Sequence, residues 1–142
     1  MRFHECKVQH RVLGNIGALA AAACLFGCAA RQPPSMTATE VAEYNNPVEC
    51  TGAEECALLW RRAQAWVAQN SGFKIQVATE MVLETFSAPN YSMRWAFRAV
   101  RQPMGKNSER IIIEPSCGQA PLCTRSRDSL VAAFNAYVRA AK

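Results

Sequence analysis

The chain has 142 residues, half of them hydrophobic, with 16 Lys and Arg against 11 Asp and Glu, seven cysteines and two histidines. That length suits one small domain with a modest core and is too short for two, and a net charge of +5 implies no nucleic-acid partner. Both histidines, His4 and His10, sit near the start, so the rest of the chain lacks the commonest general base and metal ligand.

The first eleven residues carry Arg2, Lys7 and Arg11 against Glu5, and an uncharged stretch runs from Val12 to Gly27. This charged-then-apolar order is that of a secretory signal. A membrane-spanning helix needs about 20 apolar residues, whereas this core is shorter, contains Asn15 and is followed by Arg31 and two prolines. Leu25, Phe26, Gly27 and Cys28 resemble a bacterial lipobox, with an apolar residue at minus three and a small one at minus one, although Phe26 is bulky for such a box. The resemblance implies cleavage before Cys28, a diacylglyceryl thioether on its thiol, and membrane attachment through that N-terminal lipid. Ala29 in the plus-two position implies the periplasmic face of the outer membrane. Cleavage after Ala30 would instead release a soluble chain, and Cys24 is a poorer lipidation site because Ala21 stands at its minus three. The expected layout is a signal peptide over 1–27, a flexible tether over 28–49 and an α+β periplasmic domain over 50–142.

From Cys28 onward the chain has 115 residues and a net charge of +3. Cys6 and Cys24 leave with the signal and Cys28 takes the lipid, so Cys50, Cys56, Cys117 and Cys123 remain, an even number that suits an oxidising compartment. Four cysteines allow three pairings; the local bridges Cys50 to Cys56 and Cys117 to Cys123 are favoured over the long-range patterns. Four thiolates would also suffice for zinc, but their spacing is wider than the usual two to four residues. No metal or cofactor is expected.

Residues 29–49 contain three prolines and few large apolar side chains, which reads as the tether. Over 53–70, Cys56, Leu59, Ala63, Trp66 and Val67 recur at helical spacing, and Thr51 with Glu54 fits a capping box. From Lys74 to Phe86 the period becomes two, with Ile75, Val77, Thr79, Met81 and Leu83 on one side. Residues 91–101 repeat it with Tyr91, Met93, Trp95, Phe97 and Ala99. A connection with an odd number of residues, Phe86 to Asn90, keeps both apolar sets on one face. Pro103 and Gly105 punctuate a turn into a third strand over 110–115. Leu130, Val131, Phe134, Tyr137 and Val138 mark a last helix, with Ser126 as N-cap. The expected fold is therefore a two-layer α+β domain, a three-stranded antiparallel meander packed against two helices in the order α-β-β-β-α.

No catalytic residue is expected: Ser71, Ser116 and Asp128 have no histidine partner, and no nucleophile motif or phosphate loop occurs. Arg94, Arg98, Lys106 and Arg110 fall on or beside the solvent face of the sheet, where Glu80, Glu84 and Glu114 lie diagonal to the arginines and would neutralise them. Trp66, Trp95 and Phe97 match the core period. Trp60 lies about 60° off the stripe of Ala63 and Trp66, which marks it, with Arg94 and Arg98, as a candidate partner contact.

Trp60, Ala63, Gln64, Trp66, Val67, Ser71, Lys74, Ile75, Gln76 and Thr79, closed by the Cys117 and Cys123 pair, resemble a group of small uncharacterised proteobacterial lipoproteins. This resemblance implies a location and brings no activity with it. The expected function is a non-enzymatic envelope lipoprotein, an interaction or accessory module that holds an envelope protein partner. The alternative is a carrier or sensor of a lipid or anionic glycan, which predicts a cavity or an unneutralised arginine cluster.

Overall fold

The computed structural model describes residues 36–119 and 122–140. The expected signal peptide, Cys28 and the chain up to residue 35 lie outside the described residues. In chain order the elements are α1 (Ala38–Tyr44), β1 (Val48–Thr51), α2 (Ala53–Asn70), β2 (Ile75–Ala78), β3 (Val82–Thr85), β4 (Trp95–Gly105), β5 (Ser108–Cys117) and α3 (Arg127–Arg139). The fold is α+β, with a five-stranded antiparallel sheet in the order β1-β5-β4-β3-β2. This corrects the expected three strands and two helices at three points.

The first correction concerns the tether: its part from residue 38 onward carries α1 and β1. Thr37 and Glu40 form the capping box of α1, the Thr37 hydroxyl accepting from the Glu40 amide at 3.2 Å while the Glu40 carboxylate accepts from the Thr37 amide at 2.9 Å. α1 has no buried residue and therefore no apolar stripe to betray it. It is held on α3 by polar contacts: Ser129 donates to the Glu40 carboxylate, the Asn135 amide to the Glu43 carbonyl at 3.0 Å, and Arg139 to Glu43 and Asn46. Val48 is fully buried, so β1 is part of the core.

The second correction splits the expected strand over 74–86 into the hairpin β2-β3. The Thr79 hydroxyl accepts from the Met81 and Val82 amides at 3.2 and 2.9 Å, and the Thr79 amide donates to the Val82 carbonyl at 2.8 Å. A threonine that satisfies the backbone two and three residues ahead competes with strand continuation. The third correction moves the next strand. Tyr91 and Met93 are exposed and precede β4, because Ser92 turns the chain by donating to the Pro89 carbonyl and accepting from the Arg94 amide. Nine residues, 86–94, separate β3 from β4. The number is still odd, so Leu83 faces Ala99 across the ladder with both on the core side. The β4-β5 turn is Lys106 and Asn107, both at positive φ, the left-handed pair that a two-residue hairpin requires. Pro103 and Gly105 lie within β4, flanking a ladder irregularity.

α2 and α3 cover one face of the sheet. Trp66 packs edge-on against Phe97 of β4 at 5.1 Å and against Phe134 of α3 at 5.4 Å between ring centres, joining both layers. Arg62 ties α2 to the end of α3, its guanidinium 4.5 Å from the Tyr137 ring centre and donating to the Tyr137 carbonyl. α2 starts at Gly52 with no side-chain cap; the expected box of Thr51 and Glu54 is absent, and the Thr51 amide donates instead to Glu55 at 2.7 Å. Thr51 is the last residue of β1, opposite Ser108, and so belongs to the sheet. Ser126 caps α3 as expected, accepting from the Ser129 amide at 3.1 Å.

Candidate interaction surface

Backbone alternation decides which polar groups each sheet edge offers. At one edge the Gly52 amide donates to the Asn107 carbonyl at 2.8 Å, so in register Glu109 and Ile111 also turn their amides toward β1. Ile113 and Pro115 then face the same side where β1 no longer reaches, and Pro115 carries no N–H to offer there. Beside this stretch lies a groove of about 420 Å³ lined by Tyr44, Pro47, Ile112, Glu114, Asp128 and Val131 among others.

At the other edge, Thr79 turns its amide inward to Val82, so Ala78 faces out and Val77, opposite Glu84, faces in. The ladder is irregular between Ile75 and Val77, and the Gln76 side-chain amide reaches back to the Thr85 carbonyl at 3.2 Å. All four residues of β2 are exposed. Ile75 keeps 39% and Val77 36% of its surface in water, and Met81 and Phe86 beside them are exposed too. The helix layer therefore ends over β3, where Leu83 and Thr85 are buried.

The candidate contacts named from the sequence do not share this surface. Trp60 is only 4% exposed, and its ring N–H donates to the Thr79 carbonyl at 3.3 Å; the β2-β3 turn closes over it, which widens the buried stripe of α2 beyond the angle that helical pitch alone suggests. Leu58 is the large apolar residue that this helix exposes. Arg94 precedes β4 and lies 5.8 Å over the Phe73 ring, against Gly72, where any added Cβ would fall 2.6 Å from the Arg94 Cβ. Arg98 projects from β4 and pairs with Glu114 at 3.0 Å. It stands directly between Glu84 and Glu114 in the ladder, not diagonal to them. Arg101 pairs with Glu109 at 2.6 Å and Arg110 with Glu49 at 2.5 Å. These arginines are thus dispersed over separate partners and form no common anion cradle.

Four of the sequence-predicted residues do come together as expected. Cys50 bridges to Cys56 and Cys117 to Cys123, with Cα separations of 5.2 and 6.8 Å. The first bridge is buried between β1 and α2, the second half-buried at the end of β5. The Glu109 carboxylate lies within 4.8 Å of the first pair of sulfurs, but sulfurs committed to a disulfide are not thiolate ligands. Among the titratable groups, Glu40 is held below the ordinary glutamate range. The Ser129 hydroxyl is the main cause, followed by the Thr37 amide and hydroxyl and by the charge of Arg125.

Ile75, Val77 and Met81 were missed as surface residues because their period matched a core-facing strand. The signal that would have found them is Thr79, a turn-forming side chain in the middle of the run. Among the described residues no helix is long and apolar enough to cross a membrane. No protein-family model, curated protein or solved structure matches the chain.

Proposed function

We propose that the chain is a lipoprotein of the cell envelope, anchored through Cys28 on the periplasmic side of the outer membrane, whose domain is a non-enzymatic interaction module that binds a protein by strand addition at β2. The observation that carries this proposal is the open β2 edge, a strand with outward backbone groups and exposed apolar side chains on both faces. Such an edge can template pairing with another chain; β2, "IQVA", is short and irregular between Ile75 and Val77, but it carries no charge and no proline, and all four of its residues are exposed. Main-chain hydrogen bonds then supply affinity, while alternate side chains supply selectivity. Two local disulfides suit export to an oxidising compartment, and the lipobox residues supply the anchor.

The experiment is photo-crosslinking in cells from Gln76, with Arg61 on the exposed side of α2 as control, in parallel with fatty-acid labelling of wild type and Cys28→Ser. The expected result is a protein adduct from Gln76 and none from Arg61, with lipid label lost in Cys28→Ser. Equal or absent adducts at the two positions would remove the interaction reading, and unchanged labelling would remove the anchor.

A further inference from the structure

We infer that one end of the domain lies on the anionic phospholipid surface of the membrane that carries the Cys28 anchor; this rests on the anchor proposed above and is independent of strand addition at β2. The turn after α2, the β3-β4 loop and the loop closed by Cys117 and Cys123 converge at that end. The Gly72 amide donates to the Trp95 carbonyl at 2.9 Å, the Phe86 amide to the Lys74 carbonyl at 3.0 Å and the Gln119 amide to the Ser92 carbonyl at 3.0 Å, while Trp95 stands opposite Cys117 in the ladder. The four most exposed large apolar side chains among the described residues all sit on these segments: Tyr91 at 79%, Leu122 at 60%, Phe86 at 54% and Met93 at 53%.

Charge separates this end from the other. Residues 71–74, 86–94 and 117–127 carry Lys74, Arg94, Arg125 and Arg127, all exposed, and no acid. Asp128 and Glu40 follow in the first turns of α3 and α1, and four cations less these two acids still leave a surplus of two positive charges. The turns at the opposite end, 51–55, 79–81 and 105–108, carry Glu54, Glu55 and Glu80 against Lys106 alone. Exposed aromatic and apolar tips rimmed by Lys and Arg match the headgroup level of a bilayer, where the apolar groups leave water and each cation gains from anionic lipid.

The tether selects the same end. α1 runs alongside α3 in the same direction, with Glu40 at Ser129 and Asn46 at Arg139, so Thr37 enters beside the start of α3, where the Cys117 to Cys123 loop leads into that helix. From Cys28 to Thr37 the chain spans at most about 30 Å, whereas β4 extends roughly 35 Å from Trp95 to Gly105. The anchor brings the Tyr91 end to the surface and leaves the β4-β5 turn away from it. A contact of a few side chains is weak for a free domain and gains from anchoring, which raises its effective concentration at the membrane. The strands then rise from the membrane, and the β2 edge faces sideways, open to a partner.

The test reconstitutes the full, natively processed chain in vesicles of phosphatidylethanolamine and phosphatidylglycerol. A photoreactive phenylalanine analogue replaces Tyr91 or, at the opposite end, Met81 or Met104, which are also exposed. Lipid adduct from Tyr91 is expected at least about tenfold above both controls. Lys74 and Arg127 enter no ion pair among the described residues, and adding Lys74→Glu with Arg127→Glu should cut the Tyr91 adduct about fivefold. On vesicles of phosphatidylcholine alone the double variant should match wild type. Tyr91 adduct no greater than that from Met104, on a chain whose intact mass shows lipid at Cys28, would overturn the surface and leave the anchor standing. Adduct indifferent to the charge reversals on the anionic vesicles, or formed with a second copy of the chain in place of lipid, would overturn it too. Lipid adduct from Tyr91 on a chain without lipid at Cys28 would overturn the anchor and leave the surface standing.

Discussion

The two edges of the sheet are managed in opposite ways. At the β1 side, Val48 is fully buried, a disulfide ties the strand to α2, α1 is fastened along α3, and the uncovered end of β5 carries Pro115. At the β2 side the helices stop one strand short and leave four exposed residues. A protein that seals one edge with side chains, covalent bonds and a missing amide while leaving the other bare restricts strand pairing to one place. That contrast is the basis for assigning the interaction to β2.

The contrast breaks most visibly at the disulfides. Removing the buried bridge with Cys50→Ala and Cys56→Ala is expected to cost up to about 5 kcal/mol in urea unfolding, since it releases the sealed edge as well as a short loop. Removing Cys117 and Cys123 in the same way should cost about 2 kcal/mol, near the loop-closure value alone. Equal losses would mean that the first bridge does nothing particular for its edge.

A pair of identical substitutions sharpens it next. Val48→Ala should destabilise by about 2 kcal/mol, while Val77→Ala stays within about 0.5 kcal/mol, because the first empties a core site and the second trims a solvated one. Comparable losses would show that β2 is covered after all.

A smaller effect is expected at α1. The Glu40 carboxylate titrates below its ordinary range in the folded chain because Ser129, Thr37 and Arg125 favour its charged form. Its contribution is therefore complete above the unfolded value, about pH 4.3, and is lost as pH falls through the lower folded value. Glu40→Gln should speed hydrogen exchange in α1 at pH 7 and match wild type at the acid end of the titration. A gap that persists into acid would assign the anchoring of α1 to Arg139 and Asn135 instead. The smallest effect belongs to Arg98→Ala, within about 0.5 kcal/mol in the same urea assay, because its pair with Glu114 is solvated on both sides.

Much of this architecture was legible in the residue pattern. The stripes of α2 and α3 and the alternation through Trp95, Phe97 and Ala99 are strong periodic signals, and each reports one buried face. The local cysteine pairs were legible as well, since six positions separate each pair and the intervening loop is short. α1 was not, since it buries nothing and rests on contacts between residues about ninety positions apart. Trp60 was misplaced for a related reason: its cover is the β2-β3 turn, which the alternation from Ile75 to Leu83 concealed.

Residue order alone therefore determined α2 and α3, the core alternation of β4, the disulfide pairs and the expectation of export, because each follows from spacing within a short window. Which side of Trp60 is covered, how the chain before Cys50 is used and which edge stays open were settled only when distant segments met. Burial is a property of the neighbours a side chain acquires, and period two is the same for a strand facing a core and for one facing water.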